Sequence, residues 1–151
     1  MIFSWHAFGE LSGDDLYEIL SLRQRVFVVE QHCAYQDADG LDRFSYHLRG
    51  HSHAGELTAY LRLIPPGGRS TGPSIGRVLT APGARRAGIG RKLMLEGIRR
   101  SSEVYPGTSL TVSAQTYLEG FYASLGFIRT GTPHDEDGIE HVVMVRAPGI
   151  R

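Results

Sequence analysis

Apolar side chains recur along this chain at two periods, and the switch between them marks its elements. Leu16, Ile19, Leu20, Val26 and Phe27 fall at helical spacing. Ser12 precedes them, with Asp15 three residues on in a variant of the capping box, so a first helix is predicted over residues 13–27. The run Val26-Phe27-Val28-Val29 is β-branched and aromatic, so the helix should loosen there and feed a loop. Upstream, residues 2–7 read as an edge strand. Residues 43–49 and 56–64 read as an antiparallel hairpin around His51-Ser52-His53-Ala54-Gly55. Pro65-Pro66-Gly67-Gly68 and Gly72-Pro73 bracket a surface loop, and a strand over 74–80 is stopped by Pro82-Gly83.

Beyond that stop, Ile89, Leu93, Met94 and Ile98 predict a helix over 88–101, with Gly97 near the same face where it would let the helix lie close to a sheet. Residues 108–114 alternate around Leu110 and Val112 as a strand. Leu118, Phe121, Tyr122 and Leu125 mark a short helix that Gly126 is placed to end. Residues 127–130 and 141–146 read as the last strands, joined by an acidic turn at 134–138. The element order predicts an α/β (α+β mixed) fold, with a mixed sheet carrying helices on both faces, in a single domain spanning 1–151.

Composition narrows the function. A chain of 151 residues buries roughly two-thirds of its unfolded surface, enough for one real core. Sixteen Lys and Arg balance sixteen Asp and Glu, so no broad positive field recruits nucleic acid. No apolar run approaches the ~20 residues that span a bilayer, and the first residues lack a signal-peptide pattern. A single cysteine, Cys33, excludes an internal disulfide framework, which fits a reducing compartment and a cytoplasmic location. No nucleic-acid or membrane partner is expected, and a homodimer is left open.

Residues 30–42 are polar and acidic with little periodicity. Asp37, Asp39 and Gly40 faintly echo a calcium loop, but the glycine and glutamate of an EF-hand are out of register. His51 and His53 have no matching ligand set, so no metal is expected. The turn Arg85-Arg86-Ala87-Gly88-Ile89-Gly90 opens a helix, where unpaired N–H groups and the positive end of the dipole favour an anion. It lacks the Lys-Ser/Thr of a Walker loop and the third glycine of a dinucleotide fingerprint.

That turn, the strand before it and Phe121-Tyr122-x-x-Leu125-Gly126-Phe127 after it resemble the Gcn5-related N-acetyltransferase (GNAT) superfamily. Leu22-Arg23-x-x-Val26-Phe27-Val28-Val29-Glu30-Gln31-x-Cys33-x-Tyr35-x-Asp37-x-Asp39-Gly40, Ile75-Gly76-Arg77-Val78 and Glu136-Asp137-Gly138-Ile139-x-His141 resemble its bacterial ElaA-type subfamily. The resemblance implies a GNAT-like acyl-CoA N-acyltransferase fold with a mostly antiparallel sheet and one splayed strand pair. It implies acetyl-CoA as co-substrate and a small-molecule or peptide amine as acceptor. Val78, Leu79 and Thr80 are its positions for the pantetheine arm. Arg85, Arg86, Ala87, Gly88, Ile89, Gly90 and Arg91 are those for the pyrophosphate.

The implied reaction is direct attack of a neutral amine on the thioester, which needs a proton route, oxyanion support and a donor for the leaving thiolate. Tyr122 matches the superfamily's acid. Thr111 and Ser113 offer no carboxylate on the neighbouring strand, which leaves Glu30 as the first candidate base and His141 as the second. Tyr35, Asp37 and Asp39 are the candidate acceptor-side residues, and the acidic residues at 135–137 either join that rim or are solvated loop. A ping-pong route through Cys33 lacks a fixed base. A catalytically silent acyl-CoA-binding domain is the alternative, and an interaction module a third reading.

Overall fold

The computed structural model describes residues 1–85 and 87–149. Its frame is a sheet ordered β1-β2-β3-β4-β5-β8-β6, with β7 pairing β8 off that path. The strands are β1 (Ile2–Ala7), β2 (Tyr46–His51), β3 (Leu57–Ile64), β4 (Ser74–Thr80), β5 (Leu110–Gln115), β6 (Ile128–Arg129), β7 (His134–Glu136) and β8 (Ile139–Arg146). All pairings are antiparallel except β4 with β5.

That parallel pair holds only at Ser74 with Thr111 and Ile75 with Val112. Beyond it the two strands part and leave a gap between them. Within β4 an extra residue breaks the register with β3, where Tyr60 faces Leu79 and Arg62 faces Gly76. Arg77, with φ 52, sits in that bulge in left-handed conformation, an uncommon state for a side-chain-bearing residue that bends the strand as β5 departs.

Helices cover both faces. Helix α1 (Gly13–Arg23) starts on the predicted cap: Ser12 Oγ accepts from the Asp15 amide and an Asp15 carboxylate oxygen accepts from the Ser12 amide, both at 3.0 Å. It buries Ile19 and Leu22, with Val26 beyond it, against Leu57, Tyr60 and Leu79. Helix α2 (Ile89–Val104) packs Leu93, Met94 and Ile98 on the opposite face against Leu61, Ile75 and Val112. At Gly97 an added Cβ would lie 3.0 Å from both Ile75 and Leu61 side-chain carbons, so the close approach predicted for this glycine is present. Helix α3 (Glu119–Ala123) is short, and Gly126 follows with φ 93.

Three local expectations are corrected. The β-branched run after α1 does not unwind the helix but widens it into a π-helical stretch, Gln24–Glu30, which carries Phe27 and Glu30 onward to the gap. The acidic turn at 134–138 instead contains a strand: β7 and β8 form a hairpin on Asp137-Gly138, both at positive φ as a two-residue primed turn requires. Residues 43–44 belong to a 3-10 turn, Leu41–Phe44, ahead of β2. Among the described residues no helix is long and apolar enough to cross a membrane.

Candidate active site

The parted strands open a cleft of about 720 Å³. Its walls are β4 from Ser74 to Thr80 and the alternate residues Thr111, Ser113 and Gln115 of β5, whose other neighbours Val112 and Ala114 turn into the core. His141 and Val143 of β8 continue that floor, Phe27 and Glu30 close one end, and Tyr122 reaches in from α3.

Tyr122 is only 6 % exposed and is braced edge-on by Phe121 and Phe127, with ring centroids at 5.2 and 5.9 Å. Burial, helped by the nearby Tyr117, pushes its phenol up to about 12, so it remains a protonated donor at any working pH. Its hydroxyl has no protein partner among the described residues.

His141 has a fixed tautomer. Its Nδ1 lies 2.7 Å from the Ile139 carbonyl, which can only accept, so Nδ1 carries the hydrogen and the neutral ring keeps its lone pair on Nε2. That nitrogen is unpartnered among the described residues. Beside it, Glu136 Oε2 accepts from the Ser113 hydroxyl and, at 2.7 Å, from His134 Nε2, while among the described residues Oε1 has only a 3.4 Å contact with Arg69. Burial would raise this carboxyl, but those donors override it and hold it below the usual range.

Glu30 and Arg85 meet as a fork, with Nη2 to Oε1 at 2.5 Å and Nη1 to Oε2 at 3.1 Å, and Arg85 Nε also donates to the Thr80 carbonyl at 3.2 Å. Past this fork Gly88, at φ 71, starts α2 without any side-chain cap, which leaves the first helical N–H groups open. Among the described residues no bulk lies within 4 Å of a Cβ position at Gly88, and at Gly90 only Phe121 approaches, at 3.9 Å.

The loop that closes the cleft's far side is pinned by six charges. Arg23 binds Asp37 and Asp42, Arg62 binds Asp39 and Asp42, and Arg77 binds Asp37 and Asp39. Arg77 Nε lies 2.8 Å from Asp37 Oδ1 without the alignment of a hydrogen bond, while its Nη2 donates to the Asp37 carbonyl at 3.0 Å. Desolvation would raise Asp39 and Asp42, but the Arg62 and Arg23 guanidinium groups hold both below the usual carboxylate range. His47, buried beneath, donates from Nε2 to the Asp42 carbonyl and accepts the Tyr60 hydroxyl on Nδ1; burial lowers its pKa and keeps it neutral. Tyr35 donates to Asp37 at 2.7 Å, and Cys33 Sγ reaches the Asp137 carbonyl at 3.1 Å.

Residues 24–147 match the acetyltransferase (GNAT) domain family. The chain belongs to the GNAT acetyltransferases. Its GNAT fold is shared with an acyl-CoA N-acyltransferase from Pseudomonas aeruginosa, at TM-score 0.91 and 36 % identity over 97 % of this chain and 99 % of that one. Escherichia coli ElaA superposes at TM-score 0.88 and, compared by sequence, is 38 % identical over 91 % of each chain. A UPF0039 protein of Synechocystis is 48 % identical over 95 % of this chain and 93 % of its own. Membership makes this GNAT chain an acyl-CoA-dependent acyltransferase.

Of the residues read from sequence, Val78, Leu79, Thr80, Arg85, Glu30, Tyr35, Tyr122 and His141 line the GNAT cleft together. Ala87, Gly88, Ile89, Gly90 and Arg91 form the start of α2 outside it, and Arg86 lies outside the described residues. Asp37 and Asp39 do not line the cleft; their oxygens are engaged by arginines. Sequence reasoning passed over Arg69 altogether, and of Ser113 it noted only that it carries no carboxylate. Glu136 entered as one of three acidic residues on a turn and as part of the ElaA-type motif, without a role of its own. The Asp-Gly dipeptide was the one local sign that this turn is a hairpin aimed somewhere definite. No three His, Cys, Asp or Glu side chains converge as metal ligands among the described residues.

Proposed function

We propose that the protein transfers an acetyl group from acetyl-CoA to a primary amine by direct attack within a ternary complex. The observation that carries this reading is the pairing, across one cleft, of a phenol that stays protonated with an imidazole whose free nitrogen is Nε2. His141 takes the proton that the amine must shed, the amine nitrogen bonds to the thioester carbon, and Tyr122 hydrogen-bonds the sulfur as the carbon–sulfur bond breaks. The bulge leaves Arg77 and Val78 without register partners on β3, and the backbone there is assigned to the thioester oxygen and the pantetheine arm, with Leu79 and Thr80.

The open N–H groups at Gly88, Ile89 and Gly90, with Ala87, Arg85, Arg86 and Arg91, are assigned to the pyrophosphate. Between the two candidate bases the geometry favours His141, because both oxygens of Glu30 are held by Arg85. Glu30 then acts on the cofactor side by orienting that arginine. Tyr35, with Asp37 and Asp39 fixing the loop behind it, is assigned to the acceptor wall.

Calorimetric titration with acetyl-CoA should show saturable binding at micromolar to millimolar concentration, and a library of primary amines should contain members that release free CoA. Absence of any binding would refute the reading; binding without release from any amine would leave a silent acyl-CoA-binding domain.

A further inference from the structure

Several charged groups line the cleft on its cofactor and acceptor sides, and most are spent. Arg62 and Arg77 are neutralised by Asp39 and Asp37, and Glu30 by Arg85. Arg69 and Glu136 differ. They touch only through one contact of 3.4 Å, and their side chains stay 41 % and 26 % exposed. An exposed pair of this kind contributes little, so opening it costs little.

Glu136 is nevertheless built as a receptor. Ser113 and His134 lock Oε2, and Oε1, on a side chain that lines the cleft, keeps lone pairs to spare. His141, the proton acceptor, sits on the strand that pairs with β7, opposite His134. An incoming ammonium held by Glu136 is therefore delivered beside the group that must deprotonate it. A ligand offering only that ammonium would meet the positive Arg69 at the same place. A ligand carrying an anionic group next to its ammonium satisfies both.

We propose that the acceptor is a small zwitterion of the α-amino-acid class, its ammonium on Glu136 and its carboxylate on Arg69. The spacing supports this class over a diamine or a distal ammonium. In an α-amino acid the nitrogen and the carboxyl carbon are about 2.5 Å apart, which suits two binding groups that themselves stand in contact. A carboxylate meets a guanidinium with two parallel hydrogen bonds, a geometry that Arg69 is free to offer. The inference rests on the acyl-transfer reading for its chemistry: His141 takes one ammonium proton, the nitrogen forms the new C–N bond as the C–S bond breaks, and a second nitrogen proton passes to the departing sulfur by way of the Tyr122 hydroxyl, so that an N-acyl amino acid and free thiol leave.

The test uses the full chain saturated with coenzyme A, titrated calorimetrically with the standard amino acids, each beside its decarboxylated amine and its N-acetylated form. At least one amino acid should bind saturably in the millimolar range or below, about tenfold tighter than both counterparts. Arg69→Met should erase the preference over the decarboxylated amine, and Glu136→Gln the preference over the N-acetylated form. Equal affinity for amino acid and amine in the unaltered protein, no amino acid bound, or a preference unmoved in both variants overturns the proposal. Free-CoA release with the same panel separates the two ideas. Amino-acid preference without turnover supports the zwitterion site and removes the acyl-transfer reading; turnover of plain amines without preference does the reverse.

Discussion

The loop over residues 31–45 and the hairpin over residues 134–141 flank one cleft, and both are acidic, yet they use their charges differently. In the loop, Asp37, Asp39 and Asp42 are matched by Arg23, Arg62 and Arg77, and the sum of those charges is zero. In the hairpin, Glu136 keeps one oxygen open to the cleft. The charges of the first region are closed to ligands and serve to hold Tyr35 and Cys33 at the cleft wall. The second holds the charge that a ligand can still meet. Acidity in a sequence is thus a count of groups, whereas function depends on how many are left over after the fold has paired them.

The largest expected effect tests the closed region. Arg23→Met leaves Asp37 and Asp42 in a buried setting with one guanidinium each, and stability should fall by about 3–5 kcal/mol, on the order of 10 °C in Tm for a domain of this size. Denaturant unfolding measures it. A loss under ~1 kcal/mol would mean that water replaces the arginine and that the loop is as open as the hairpin.

Tyr122→Phe tests the cleft itself. Removing one hydroxyl from a ring still braced by Phe121 and Phe127 should lower kcat about 100-fold while CoA affinity moves less than about twofold. Unchanged turnover would take the phenol out of the reaction.

Acid should separate the regions next. His47 faces the Tyr60 hydroxyl, the Asp42 carbonyl and the charges of Arg23, Arg62 and Asp42, and its folded pKa lies below the ordinary ~6.5. Below ~6.5 the unfolded chain takes up a proton that the folded chain refuses, so stability falls with falling pH, at up to about 1.4 kcal/mol per pH unit, until the folded pKa is passed. Asp39 and Asp42 carry lowered values, so their contribution is complete above the usual carboxylate range and lost only as pH drops below it. Thermal melts against pH should show both stages, and His47→Gln should remove the first while leaving the second. A single decline beginning below pH ~4 would show that His47 titrates normally.

The parts that sequence made legible are those whose cause is local. Ser12 and Asp15 cap α1 because both partners lie within one turn, Gly97 stands at a spacing that must face the sheet, and the alternation of β5 separates Val112 from Ser113 without knowledge of the rest. Tyr122 was named through a resemblance that runs in chain order, whereas His141 stood second to Glu30 as a base. The ion network was not legible, because nothing near Arg23 or Arg62 says which aspartates they meet across the fold. Nor was the left-handed Arg77, whose bulge depends on β3, or the Glu30 and Arg85 fork, whose members are joined only by folding. Strand β7 was hidden by its three polar residues, which carry no hydrophobic period.

The smallest expected effect is the one that decides the comparison. Glu136→Gln keeps an oxygen that can accept from Ser113 or His134, removes one charge from a half-buried site, and frees Arg69 from a weak contact. Stability should change by less than ~1 kcal/mol, since exposed pairs contribute little. Denaturant unfolding beside Arg23→Met gives both numbers on one scale. A loss near that of Arg23→Met would make Glu136 another closed charge, holding the hairpin to β5 as the aspartates hold their loop. A small loss, with the fold intact, leaves the energy of that carboxylate to be spent on a ligand.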